Sequence, residues 1–100
     1  MSIDENVKLS KLIDAYGELL SEKQKKLILD FVNNDMSLGE IAQNESISRS
    51  AVLDAVNTAK RKLYNYETKL KLCFIKEKLN EIAQNGTNYK SEITKLLEEL

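Results

Sequence analysis

The chain has 100 residues, 42% of them apolar and 31% charged, with no proline and three glycines. That length holds one compact core with room for an appended helical hairpin and excludes two enzyme-sized domains; the composition favours helix over strand, so an all-α fold is expected. Fifteen basic and sixteen acidic side chains nearly cancel, which excludes a nonspecific nucleic-acid coat and leaves any such binding to a local patch.

Histidine is absent and Cys73 is the single cysteine, so no cysteine metal cluster or internal disulfide can form, and neither a metal nor another cofactor is expected. Asp4 and Glu5 stand where a signal peptide would be basic, and no apolar run approaches bilayer length. The expectation is a cytoplasmic protein without membrane insertion.

A first helix is expected over residues 5–20, where Leu9, Leu12, Ile13, Tyr16, Leu19 and Leu20 recur at three- and four-residue spacings and Gly17 weakens the end. Ser21 and Gln24 have capping-box spacing, in which hydroxyl and side-chain amide satisfy free backbone donors at a helix start. The second helix that follows buries Leu27, Ile28, Phe31 and Val32. Asn33-Asn34-Asp35 ends it, because these side chains compete for backbone hydrogen bonds and tolerate turn geometry. Ser37 and Glu40 repeat the capping box, with Met36 and Ile41 as a hydrophobic staple, so a short third helix begins at Leu38 and ends near Asn44.

Ser48 is the next N-cap, flanked by the staple pair Ile47 and Val52, and a long fourth helix starts at Arg49. Its apolar face takes Val52, Val56, Ala59, Leu63, Tyr66 and Leu70, after which the seam slips to Leu72, Ile75, Leu79 and Ile82. That slip predicts a break or change of face near Lys71. Asn85-Gly86-Thr87 is a turn signal, and a last helix carries Tyr89, Ile93, Leu96, Leu97 and Leu100. The expected organisation is a helix-turn-helix domain of about four helices, without a wing, over residues 1–72, and a C-terminal helical hairpin over 73–100 that serves dimerisation.

Residues 37–62 meet the requirements of the helix-turn-helix itself. Ala42 is small where two helices cross closely, Ile41, Ile47, Val52 and Val56 form a buried wedge, and Ser48 caps the second helix. Ser46 stands where many such turns have glycine, so a left-handed residue there carries strain. Away from the core, the fourth helix presents Arg49, Ser50, Leu53, Asp54, Asn57, Lys60 and Arg61. Arg49 suits guanine edges, Asn57 suits adenine, and Ser48, Ser50, Lys60 and Arg61 suit phosphates. Asp54 opposes phosphate unless it accepts from cytosine. Any one of these residues taken singly is equally well part of a solvated helix face.

Residues 60–78 also gather Lys60, Arg61, Lys62, Lys69, Lys71, Lys76 and Lys78 against Glu67 and Glu77; the cluster either tracks a phosphate backbone or balances acids within the fold. Tyr64 and Tyr66 beside it could stack on bases, but helical tyrosines next to Leu63 and Leu70 are more often core. Cys73, beside Phe74 and Ile75, reads as a small buried hydrophobe.

The motifs Tyr16-Gly-Glu-Leu-Leu-Ser-Glu-Lys-Gln24, Ser37-Leu-Gly-Glu-Ile-Ala42, Ser48-Arg-Ser-Ala-Val52 and Tyr66-Glu-Thr-Lys-Leu70 resemble those of the YlxM-type helix-turn-helix family, itself similar to the promoter-recognising last region of sigma factors. The resemblance covers residues 12–72. It implies an all-helical, dimeric bacterial protein, encoded beside the signal recognition particle genes and regulating that targeting pathway, and it carries no catalytic residue. Lys71, where relatives often have glycine, and Glu45, at a turn position usually apolar, depart from the pattern.

The leading expectation is a DNA-binding regulator that inserts its fourth helix into a major groove as a homodimer joined through its C-terminal helices. Near-zero net charge and Asp54 favour the alternative, an adaptor touching the RNA or the GTPase of the signal recognition particle. An enzyme is not expected: Glu98 and Glu99 pair only at the chain end, and no Gly-rich phosphate loop or nucleophile pattern occurs.

Overall fold

The computed structural model describes residues 3–85 and 88–100, apart from the side chains of Ile3 and Asn85. Helices form and stop where side chains satisfy the backbone groups that a helix end leaves free. Helix α1 runs Ile3–Tyr16 and tightens into a 3-10 turn over Gly17–Leu19. Then come α2, Glu22–Val32, α3, Leu38–Glu45, and α4, Arg49–Leu70. Helices α5, Leu72–Asn85, and α6, Tyr89–Glu99, complete the all-α fold.

Both capping boxes close. Ser21 Oγ accepts from Gln24 N–H at 3.1 Å while Gln24 Oε1 accepts from Ser21 N–H at 3.2 Å. Ser37 and Glu40 do the same, each bond 3.1 Å long. The first helix stops earlier than its periodicity predicted, at Tyr16 rather than Leu20, because the tighter turn swings Leu19 outward while returning Leu20 to the core. Of the turn residues Asn85-Gly86-Thr87, Gly86 and Thr87 lie outside the described residues.

Two apolar clusters hold the head of the molecule. Leu9, Leu12, Ile13, Tyr16 and Leu20 meet Ile28 and Val32 of α2 and Ala59 and Leu63 of α4. Beside them, Leu27, Ile41, Ala42, Val52 and Val56 form the core under α3. Helix α2 is the wedge between the two, since neighbours Leu27 and Ile28 face different clusters. Helix α4 is common to both. Each large aliphatic side chain so buried stabilises by roughly 1.5–3 kcal/mol. Phe31, expected in the core, is only half-buried, with the Lys60 ammonium 5.6 Å from its ring centre.

The break expected near Lys71 is sharp. Lys71 takes a left-handed conformation, φ 57° and ψ 29°, and its N–H returns to Glu67 O at 2.9 Å. Helix α5 starts at the next residue, and its free donors are met by side chains of two other helices. Tyr16 Oη accepts from Leu72 N–H at 2.9 Å and donates to Glu67 Oε1 at 2.6 Å. The Glu67 carboxylate also accepts from Cys73 N–H at 3.0 Å and Phe74 N–H at 3.1 Å. Every N–H from Lys71 to Phe74 is thereby paired, and a negative charge sits at the positive end of α5.

This knot shifts both acids. Burial works to raise the Glu67 carboxyl, but the bonds donated by Tyr16, Cys73 and Phe74 outweigh it and hold the group below its ordinary 4.5. Burial, then hydrogen bonding to Glu67, pushes the Tyr16 phenol from 10.0 up to about 12. Because the folded Glu67 value is depressed, its stabilisation is present above 4.5 and is lost as pH falls through the depressed value. The raised Tyr16 value acts in the opposite sense: its contribution is whole below 10.0 and is lost as pH rises through about 12. Urea midpoints measured from acid to alkaline pH should therefore flatten at the acid end in Glu67→Gln and at the alkaline end in Tyr16→Phe. At neutral pH, Tyr16→Phe should cost about 2 kcal/mol, the value of a hydrogen bond to a charged group; an unchanged midpoint would show that the knot contributes nothing.

Candidate nucleic-acid interface

Helices α3 and α4 meet through three residues, and the turn is closed by backbone bonds of Schellman type. Ile47 N–H reaches Ala42 O at 3.1 Å and Ser46 N–H reaches Gln43 O at 3.4 Å, with Ser46 left-handed at φ 55° and ψ 42°. The strain expected of a non-glycine residue here is thus present. Ile47 packs back on the cluster of Ile41, Ala42, Val52 and Val56, which fixes the angle between the two helices without any buried polar contact. Glu45, out of pattern for the turn, is ion-paired with Lys26 of α2, which also lies 3.5 Å from Asp30. Lys26 and Glu45 are positioning residues that sequence reasoning missed; they stand 19 residues apart, a separation that carries no periodic signal.

Helix α4 then begins with its N-cap satisfied. Ser48 Oγ accepts from Ala51 N–H at 3.1 Å and lies 3.2 Å from Ser50 Oγ, so two hydroxyls crown the helix start. Beyond them Arg49, Ser50, Asp54, Asn57 and Arg61 are exposed, and Leu53 is 42% exposed among them. The four- and three-residue steps from Ser50 through Asp54 and Asn57 to Arg61 place these on one side, away from buried Val52, Val56 and Ala59. Arg61 Nη2 donates to Thr58 Oγ1 at 3.4 Å, which leaves most of its guanidinium fork open.

Lys60 does not join them. Its ammonium turns toward α1 and α2, 3.3 Å from Glu5 and over the Phe31 ring, with the side chain only 22% exposed. Two more lysines of the basic cluster are also engaged within the fold. Lys62 donates to Gln24 Oε1 at 3.3 Å, and Lys78 pairs with Glu81 at 3.7 Å beyond the break at Lys71. Tyr64 and Tyr66 are half-buried against the α1 core, Tyr66 tilted at 41° with its ring 5.9 Å from that of Tyr16. Both are packing residues of the α1 core. Cys73 is half-buried, its thiol donating to Lys11 O at 3.7 Å, and burial pushes its pKa up.

Among the described residues, no group of three or more Cys, Asp or Glu side chains is arranged to hold a metal ion, and no helix is long and apolar enough to cross a membrane. What the arrangement offers is a rigidly mounted helix start with donors and one aliphatic contact on its free side.

The turn makes two stability predictions of opposite sign. Ser46→Gly relieves a left-handed residue and should raise stability by roughly 0.5–1 kcal/mol, whereas Ser48→Ala removes the α4 cap and should lower it by about 1 kcal/mol. Chemical denaturation of the two variants beside the parent chain reads both; a loss from Ser46→Gly would contradict the strain.

Family UPF0122, described as "Putative helix-turn-helix protein, YlxM / p13 like", matches residues 3–100. A UPF0122 protein of Fusobacterium nucleatum is 38% identical over 102 residues, spanning 100% of this chain and 99% of the relative. One from Clostridium kluyveri is 43% identical over 79 residues, 79% of this chain and 71% of the relative. One from Malacoplasma penetrans is 44% identical over 66 residues, 66% and 62% respectively. With the helix-turn-helix in place and relatives aligned across both head and C-terminal helices, the chain belongs to the UPF0122 family of YlxM/p13-like helix-turn-helix proteins.

Proposed function

We propose that the chain binds duplex DNA by laying the first three turns of α4 in a major groove, as a regulator in the cytoplasm. The observation that carries this reading is the exposed side of α4, where Arg49, Ser50, Leu53, Asn57 and Arg61 stand free of the core beside the Ser48 cap. Arg49 and Asn57 have the donor and acceptor patterns that read guanine and adenine, Leu53 suits a thymine methyl, and Ser48, Ser50 and Arg61 suit phosphates. Lys60, engaged with Glu5, contributes to the helix seat instead. The family's helix-turn-helix character supports the same reading.

Asp54, in the middle of that face, and a net charge of −1 favour a second reading, an adaptor for a ribonucleoprotein such as the signal recognition particle. Fluorescence anisotropy of the full chain against a pool of labelled duplexes, and separately against the particle's RNA and its GTPase, discriminates the two. On the first reading affinity falls with salt; Arg49→Ala costs about 1–3 kcal/mol at one base position; Arg61→Ala lowers the salt slope by about one unit; Asp54→Asn tightens binding; and Lys60→Ala changes little. No duplex binding at low salt, with particle RNA or GTPase bound instead, would overturn it. Duplex binding untouched by Arg49→Ala plus Arg61→Ala would reject this face.

A further inference from the structure

Lys71 alone separates α4 from α5. It takes the left-handed region at φ 57° with its side chain exposed, a state that a β-carbon disfavours and that glycine usually fills at helix ends. The residues around it have no such preference. Thr68-Lys-Leu-Lys-Leu-Cys-Phe-Ile-Lys76 contains no glycine, proline, asparagine or aspartate, and leucine and lysine are strong helix formers. The local sequence therefore favours one unbroken helix through the point where the chain bends.

Three donated bonds hold the bend. Leu72 N–H donates to Tyr16 Oη, and the N–H groups of Cys73 and Phe74 donate to the Glu67 carboxylate. In an unbroken helix the same three donors would reach the carbonyls of Thr68, Lys69 and Leu70, four residues back. The flanking bonds, Lys71 N–H to Glu67 O and Ile75 N–H to Lys71 O, already have that helical spacing. Rotation of φ and ψ at Lys71 thus exchanges one complete set of acceptors for another, and none of the three donors is left over in either state. Apart from this latch, α5 is lightly held. It runs back along α1, with Leu72 beside Tyr16 and Glu77 beside Lys11, but the Lys11–Glu77 pair is 3.4 Å long with both side chains 59% exposed, a geometry that contributes little. The half-buried Cys73 donates its thiol to Lys11 O at 3.7 Å. An open cleft of about 410 Å³ lies between the two helices, walled by Lys11 and Asp14 on one side and by Leu72, Lys76 and Asn80 on the other.

We infer that Lys71 is a single-residue hinge with two states. Latched, Tyr16 and Glu67 hold α5 against α1. Unlatched, α4 and α5 fuse into one helix over residues 49–85, and the α5–α6 hairpin swings out along the α4 axis. The straight state gains a right-handed lysine and three peptide hydrogen bonds, while the bent state gains the bonds to Tyr16 and Glu67 and the packing of Cys73 on the α1 core. Local preference and tertiary contact thus oppose each other at one element-terminal residue, the kind of position that absorbs a large φ and ψ change while the helices on either side stay whole. The cleft exists only in the latched state, so a molecule seated between α1 and α5 favours that state through its differential affinity. The hinge does not rest on what α4 binds.

Nuclear magnetic resonance of the isotope-labelled full chain reads the hinge at the residues concerned. The Lys71 Cα and Cβ shifts report its handedness, and Hα-to-amide contacts from Lys69 to Leu72 and from Leu70 to Cys73 arise in the unbroken helix. The parent chain is expected to be latched, with microsecond-to-millisecond exchange confined to residues 67–77. Tyr16→Phe plus Glu67→Ala, which removes every side-chain acceptor of the latch, should raise the straight-to-bent ratio at least about tenfold. The Lys69–Leu72 and Leu70–Cys73 contacts then appear and those between Lys11 and Cys73 fade. Lys71→Ala, which leaves latch and core untouched, should shift the ratio the same way, and Lys71→Gly should suppress the exchange. If the double variant loses its folded head, seen as collapse of the Val56 and Leu63 methyl dispersion, the two Lys71 variants decide. A Lys71 that stays left-handed in a folded double variant overturns the inference, as does exchange that neither Lys71 variant alters. A junction that becomes disordered instead of helical once the latch is removed overturns it too.

Discussion

Four small-to-medium apolar residues on one edge of α4, Val52, Val56, Ala59 and Leu63, are the constraint on which the rest of the molecule depends. All four are at most 1% exposed. The first pair closes the core under α3 and the second closes the core under α1, so a single rigid helix fixes where both lie. Because the first turns of α4 pack through that edge, their opposite edge is free, and the same helix carries its C-terminal end away to the junction with α5. Loss of volume at Val56 or Ala59 would therefore disturb the α3–α4 turn and the packing of α1 together, since interiors this tightly packed transmit strain.

The junction at Lys71 shows how a costly backbone state can be sustained. A left-handed lysine costs on the order of 1 kcal/mol or more, and no glycine relieves it. The cost is offset by what the bend permits: the start of α5 comes within reach of Tyr16 and Glu67, and each of its leading donors finds an acceptor. Ser46 uses a cheaper version, in which the Schellman bonds and the buried Ile47 hold the conformation. Asp35 and Asn88 are the other described non-glycine residues with positive φ, and both belong to types that tolerate it.

What was legible in the sequence was local. Ser21 with Gln24, Ser37 with Glu40, and Ser48 before Arg49 announce helix starts because the groups that bond are three residues apart or fewer. The slip of the apolar seam near Lys71 announced the break, since a continuous helix cannot keep such a seam on one face. What was not legible was mostly distant. Tyr16 and Glu67 are 51 residues apart, and Lys60 and Glu5 are 55 apart. No spacing rule links such pairs, so Lys60 read as part of the exposed face when its packing beside Phe31 draws it inward. The apolar stripe of α6 was visible as periodicity, but periodicity marks an amphipathic helix without saying whether its partner lies in the same chain.

The electrostatics of α4 bear on how a head of this kind could select a target. With Lys60 tied to Glu5 and Lys62 turned to Gln24, Arg49 and Arg61 supply the positive charge of the exposed side, and Asp54 offsets part of it. Counterion release grows with the number of phosphates neutralised, so one such head gains little sequence-independent affinity. On the DNA-binding reading proposed above, that weakness has a use. A face that adheres poorly to any backbone depends more on contacts with base edges, where a carboxylate can accept from cytosine and penalise other bases.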